Sequence, residues 1–362
     1  MKRIRQILIA TAAFTLLCLF HSFAVVDAQT QPAKPSLATP SPTIKPTPKN
    51  DDDEILRVDS ELVNLNVRVV DRSNRSINDV PQKDFKIYED GVLQQIDFFS
   101  RSDVPTNYAL VVDNSGSIAP QLEKVIEAGN ILVNTNRPDD ETMVIRFVGR
   151  EKIEVLQQFT SNKADLLDSL DQFMKEGGQT AIIDAVYLAV ESVEEYEKAK
   201  NVNDRKRRAL ILITDGEDRD SFYDEKQLYD LLRESETQIY VIGFIGDLSK
   251  EGGFIGKSKQ GKAKAFLERI ATETGGKAYF PASNTELPAL AREISTELRT
   301  QYSIGYIPSN DRNDGTFRNI KVVVDEGPNK QKRIAVSRTG RVAEGSAPVS
   351  APTKATPAPT KP

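Results

Sequence analysis

Between residues 106 and 300 the chain alternates short apolar runs with longer stretches whose apolar positions recur three and four apart. The short runs "NYALVVD", "TMVIRFV", "KIEVLQQF", "RALILITD", "QIYVIGF" and "KAYF" are rich in β-branched residues and too short for helices, so they predict strands. Helical spacing covers Gln121 to Val133, Ala164 to Phe173, Ala181 to Tyr196, Glu225 to Arg233, Ala263 to Glu273 and Leu287 to Leu298. Near-continuous apolar strands separated by amphipathic helices predict an α/β fold, a doubly wound and mostly parallel sheet covered on both faces. Ligands of such sheets bind at the carboxyl ends of the strands, where the strand order reverses.

The flanks follow a period of two. "SELVNLNVRVVD" alternates, with Leu62, Leu65, Val67 and Val69 taken as its apolar face. "SNRS" predicts a turn, and "DFKIYEDGVLQQIDFFS" a hairpin around Asp90-Gly91. Beyond the helices, "QYSIGYIP", "FRNIKVVVDE" and "KRIAVSRTG" predict three more strands, with Tyr302 and Tyr306 as packing aromatics. Either set alone leaves too many open edges and too much apolar face. The expectation is therefore one small β-sandwich made of N- and C-terminal strands, with segment 54–103 pairing with segment 301–342 and the α/β unit at 104–300 inserted between them.

The ends differ in composition. Lys2, Arg3 and Arg5 precede an apolar stretch from Ile7 to Phe20 and the small-residue sequence "AVVDAQT", which together predict an export signal over residues 1–28. The competing reading, a retained anchor, meets a stretch short of the roughly 20 apolar residues a span needs. Residues 29–53 and 343–362 are rich in Pro and Thr and predict an extended linker and tail. Cleavage changes the chemistry. Cys18 and His21, the only cysteine and histidine, leave with the signal, and the net charge falls from −5 to −7. No stable membrane span remains, and the expected location is periplasmic or extracellular. A mature chain without either residue type has no disulfide, no Ser-His-Asp or Cys-His nucleophile, and no thiolate or imidazole metal ligand. Its acidity argues against nucleic acid as a partner.

Against that background "LVVDNSGSI" stands out, because a buried strand ends in Asp113, Ser115 and Ser117, whose alternation brings a carboxylate and two hydroxyls to one side. "EGGQTAIIDA" places Thr180 after a Gly-Gly turn, and "ITDGED" ends another buried strand in Asp215. If the three segments meet, they supply hard oxygen ligands suited to Mg²⁺, Mn²⁺ or Ca²⁺ and not to zinc or copper. Two carboxylates cancel a divalent charge, and an open coordination position would take an Asp or Glu carboxylate from a protein partner. Each piece also has a plainer reading: Asp and Ser favour turns, and Thr180 sits where a helix N-cap would. Asp184 is expected to serve helix packing or to brace the proposed ligands from behind, and Asp218, Asp220 and Asp224 to form a solvated acidic loop, the alternatives for these three being a second cation site or part of a partner's footprint. "GDLSKEGGFIGKSKQGKAK" lacks the ending of a phosphate-binding loop and is expected to be a mobile loop.

"DNSGS", a Thr in a Gly-Gly turn and "TDG", in that order, resemble the von Willebrand factor A (VWA) domain and its metal-ion-dependent adhesion site (MIDAS), written Asp-x-Ser-x-Ser with a distant Thr and Asp. The resemblance spans roughly Thr106 to Thr300. It implies a Rossmann-like fold and metal-ligand roles for Asp113, Ser115, Ser117, Thr180 and Asp215, with no departure at those five. The flanks "DFKIYEDG" and "YSIGYIP" are similar to those of secreted bacterial VWA proteins. The function this implies is non-enzymatic capture of an acidic partner side chain. The alternatives are a Mg²⁺-dependent phosphotransferase-like enzyme using Asp113, or an inert structural envelope protein.

Overall fold

The computed structural model describes residues 62–101, 104–200, 206–247 and 258–343. The segments read as export signal, linker and C-terminal tail lie outside the described residues, as does most of the Gly- and Lys-rich loop after Asp247. The N-terminal flank supplies β1 (Val63–Val70), β2 (Phe85–Glu89), β3 (Val92–Gln94) and β4 (Phe98–Ser100). The middle supplies β5 (Thr106–Asp113), α1 (Leu122–Thr135), β6 (Glu141–Phe147), β7 (Ile153–Thr160), α2 (Lys163–Leu170) and α3 (Ile182–Lys198). It continues with β8 (Arg207–Thr214), α4 (Glu225–Glu234), β9 (Gln238–Gly243), α5 (Lys259–Glu273), β10 (Lys277–Tyr279) and α6 (Leu287–Thr300). The C-terminal flank adds β11 (Tyr302–Tyr306), β12 (Phe317–Val324), β13 (Ile334–Val336) and β14 (Gly340–Val342).

The central sheet has the order β10-β9-β8-β5-β6-β7 and is parallel except for β7. Every residue of β5 and β8 is buried, as continuous apolar runs require of a sheet covered on both faces. Leu110, Val112, Ile211 and Ile213 pack on one side against α1, α2 and α6, through Leu122, Leu170 and Ile294. Val111, Leu210 and Leu212 pack on the other against α3, α4 and α5, through Val186, Leu232 and Leu267. From β5 the sheet grows one way to β6 and the other way to β8 and β9, so the order reverses between β5 and β8. That junction is where the ligand crevice of a doubly wound sheet lies.

The flanks pair across the whole length of the inserted unit. One antiparallel sheet has the order β13-β1-β11-β4 and the other β14-β12-β2-β3. Leu65, Val67, Phe85, Ile87, Tyr302, Ile304 and Tyr306 share the core between them. The Asp90-Gly91 turn has both residues at positive φ, 48° and 82°, which is the geometry an Asp-Gly hairpin supplies. Two expectations change. The inward face of β1 starts at Val63, in phase with Leu65, Val67 and Val69, and Leu62 is 39% exposed. Within "KRIAVSRTG" only Ile334–Val336 is a strand, β13 on β1, and its last residue, Gly340, opens β14, which pairs with β12 in the other sheet. Tyr302 and Tyr306 are fully buried as expected. The Tyr302 hydroxyl accepts from Val80 N at 2.9 Å and donates to Ile77 O at 3.1 Å, and that of Tyr306 donates to Glu89 at 2.5 Å.

The sandwich is fastened to the central unit by polar groups on the outward side of β1. Arg68 Nη1 donates to Glu297 Oε2 at 3.1 Å and its Nη2 to Gly276 O at 3.0 Å, with both charged side chains buried. Gly276 has to be glycine, since a Cβ there would lie 2.0 Å from Ile239 O. Removing one partner of a buried pair strands the other's charge. Lys277, 3.3 Å from Glu297, compensates in part. Arg68→Ala is therefore expected to cost about 3 kcal/mol in chemical denaturation, and Arg68→Met with Glu297→Leu together distinctly less, because no charge is left buried alone.

Candidate metal centre

Parallel pairing of β5 with β8 brings Asp113 and Thr214 to the same edge, since Val112 is in register with Ile213. The Thr214 hydroxyl donates to Asp113 Oδ2 at 2.7 Å, and Ser115 N–H donates to Oδ1 at 2.9 Å. Both oxygens are thus engaged and the carboxyl plane is held. Asp113 is 0% exposed and Asp215 is 4% exposed. Ser115 Oγ and Ser117 Oγ lie 3.1 Å apart, the first buried and the second exposed. The loop after β5 is anchored from both sides, by Asn114 N–H on Phe147 O at 2.8 Å and Asn114 Nδ2 on Met174 O at 3.0 Å.

The Gly-Gly turn before Thr180 crosses against that loop: a Cβ on Gly116 would sit 3.8 Å from Gly177 Cα. Gly178, at φ 150°, passes so close to Val148 that a side chain there would collide. Thr180 is buried, and its carbonyl accepts from Arg219 N–H at 2.8 Å and Asp220 N–H at 3.1 Å. The loops carrying Asp113, Thr180 and Asp215 are therefore tied to one another at the carboxyl edge of the sheet. Thr180 does not act as the N-cap of α3. That position is Ala181, which makes no side-chain cap bond, and Ile183 N–H is taken by Asp218 Oδ1 at 3.1 Å.

Burial first, and the charge of Asp215 second, push the Asp113 carboxyl up to about 6, against the two hydrogen bonds that favour its anion. Arg219, in the same loop, is already paired with Glu217. Among the described residues no three His, Cys, Asp or Glu side chains gather as a metal-binding cluster.

The acidic loop after Asp215 is not a merely solvated one, because its carboxylates are committed to backbone donors. Asp218 takes Ile183 N–H and the Ser221 hydroxyl, and Asp220 accepts from Arg150 N–H at 3.2 Å. Asp224 forms a capping box with Gln227 at the start of α4. Asp184 braces the loop after Asp215, the second of its two expected roles, since its carboxylate accepts from Phe222 N–H and Tyr223 N–H at 2.8–2.9 Å. Thr214 is a supporting residue that sequence reasoning missed, whereas for Asp184 it gave the supporting role and not the partners. Only Asp224-x-x-Gln227, a capping-box spacing, carried a local signal. The bonds of Thr214 and Asp184 join residues distant in the chain.

The family model of the von Willebrand factor type A domain matches residues 107–293. This chain belongs to the VWA domain family. Domains of this family commonly mediate protein–protein interactions and are generally non-enzymatic. Among solved structures, an aerotolerance-related membrane protein from Bacteroides fragilis is similar at 22% identity and TM-score 0.40, over 53% of this chain and 98% of its own. A von Willebrand factor type A protein from Catenulispora acidiphila is similar at 12% identity and TM-score 0.43, over 77% of this chain and 73% of its own. Proximal thread matrix protein 1 from the mussel byssus, solved with a zinc-occupied MIDAS motif, is similar at 20% identity and TM-score 0.42, over 54% of this chain and 48% of its own. A comparison with curated proteins finds no match. In this VWA domain Asp184 holds the loop that follows Asp215. Asp184→Ala is expected to cost about 2–3 kcal/mol and to speed amide exchange at Phe222 and Tyr223, with a smaller loss in Asp184→Asn, which keeps one acceptor.

Proposed function

We propose that the chain is an exported protein-interaction module in which Asp113, Ser115, Ser117, Thr180 and Asp215 hold a divalent cation and so capture an Asp or Glu side chain of a protein partner. Mg²⁺ is the expected ion, with Mn²⁺ or Ca²⁺ as substitutes. The observation that carries this reading is the placement of two buried carboxylates on neighbouring strand ends, tied by backbone bonds to a loop whose threonine is not used as a helix cap. The donor set fits a hard cation: all oxygen, doubly negative, completed by neutral hydroxyls. A cation bound there supplies an electrophilic position for a carboxylate oxygen. The chain's own residues do the rest. Thr214 and Ser115 N–H keep Asp113 oriented, and the two serines present hydroxyls side by side.

Among the described residues no helix is long and apolar enough to cross a membrane. Export rests on the sequence pattern of residues 1–28. A phosphotransferase reading needs an acidic group two residues beyond Asp113, where Ser115 stands. A phosphatase assay on the mature chain separates the two.

Calorimetric titration of the mature chain with Mg²⁺ and Mn²⁺ is expected to show saturable binding within the millimolar range. Asp113→Ala and Thr180→Ala, both confirmed folded by circular dichroism, should weaken it at least about tenfold, or roughly 1.4 kcal/mol. Binding that is absent, or equal in all three proteins, would remove the metal centre from the account.

A further inference from the structure

Two of the most exposed large apolar side chains in the described residues lie on the loops that carry the candidate centre. Phe222 is 75% exposed and Met174 is 66% exposed. Neither hangs on a free loop. The Met174 carbonyl accepts from Asn114, the residue between Asp113 and Ser115. Phe222 N–H is bonded to both oxygens of Asp184. The two loops that carry them meet at Thr180, whose carbonyl receives Arg219 and Asp220 N–H. The Phe222 ring sits edge-on to Tyr223, with centroids 5.3 Å apart, and Tyr223 stacks on Tyr187 at 4.0 Å. Phe222 is thus the outer end of a braced aromatic shelf.

Exposed apolar groups on an ordered backbone bind with little further loss of conformational freedom, which is how interface anchors work. The charge around Phe222 narrows the partner. Between Glu217 and Glu225 the loop carries five carboxylates against Arg219, and even with Arg150 paired to Asp220 and Lys259 to Glu217 from neighbouring segments it stays net negative. A run of acidic residues on the partner would meet like charge there, while an isolated acid with apolar or basic neighbours would not.

We propose that Met174 and the Phe222–Tyr223–Tyr187 shelf are the second half of the docking surface. Its ligand is a protein segment with a single Asp or Glu flanked by apolar residues, in a context that is not otherwise acidic. This rests on the metal-dependent reading of the site, and the experiment distinguishes the two.

Random twelve-residue peptides are displayed and selected on the mature chain in Mg²⁺, with elution by EDTA. Selected peptides are then made synthetically and titrated against wild type, Phe222→Ser and Met174→Ser, and each protein is also titrated with Mg²⁺ alone. The expected result is enrichment of one acidic residue beside apolar ones, with peptide binding weakened at least about tenfold by either substitution and Mg²⁺ affinity unchanged. Enrichment of acidic runs, or of single acids whose binding neither substitution alters, overturns this inference and leaves the metal reading standing. Peptides without a carboxylate, or no enrichment that depends on Mg²⁺, overturn both when Mg²⁺ alone also fails to bind, and only this inference when it binds.

Discussion

Everything at the carboxyl edge depends on β5 and β8 ending side by side. The apolar middles of these two strands, Tyr108–Val112 and Ala209–Ile213, are buried on both faces and so place the polar residues that follow them at the carboxyl edge. Here those residues are Asp113 and, one step past Thr214, Asp215. Burying two carboxylates near each other is unfavourable, and the rise of Asp113 to about 6 records it. Two hydrogen bonds to Asp113 offset part of that cost and fix its orientation. They leave the negative charge in place, where a divalent cation would balance it. The packing of the sheet holds this unfavourable arrangement together.

The sandwich contributes by where it is attached. Its contacts fall on the starts of the central strands: Arg207, first in β8, reaches Asn66 and Ser303, and Gln238, first in β9, reaches Asn66 O. Arg68 and Glu297 reinforce the same end. Seven residue steps along β8, at about 3.3 Å each, separate that edge from Thr214 by roughly 23 Å. Short connections from β4 into β5 and from α6 into β11 let both flanks return to one place. An insertion fastened in this way keeps its carboxyl edge clear of the sandwich.

Much of this was legible because it is periodic. All six central strands and all six helices follow from apolar spacing, and the pairing of the flanks follows from the incompleteness of each half. The failures have physical causes. The face of β1 was misjudged at Leu62, because the run Leu62-Val63 contains two apolar residues and only tertiary packing selects the phase. "KRIAVSRTG" concealed a change of sheet, since nothing local marks the break between the end of β13 at Val336 and the start of β14 at Gly340. The three aspartates after Asp215 looked solvated, yet Asp218 and Asp220 bond backbone donors far away in the sequence. The residues proposed as ligands were legible as a pattern, whereas of the residues around them only Asp184 was named, without the amides it holds.

That division bears on what the site is built to do. The groups around it hold backbone: Asp184 grips the Phe222 and Tyr223 amides, Asp218 the start of α3, and Asn114 the Met174 carbonyl. What they accomplish is to order the loops before anything arrives, so that association sacrifices less conformational freedom. A supporting network of this kind suits the protein-interaction role common among VWA domains.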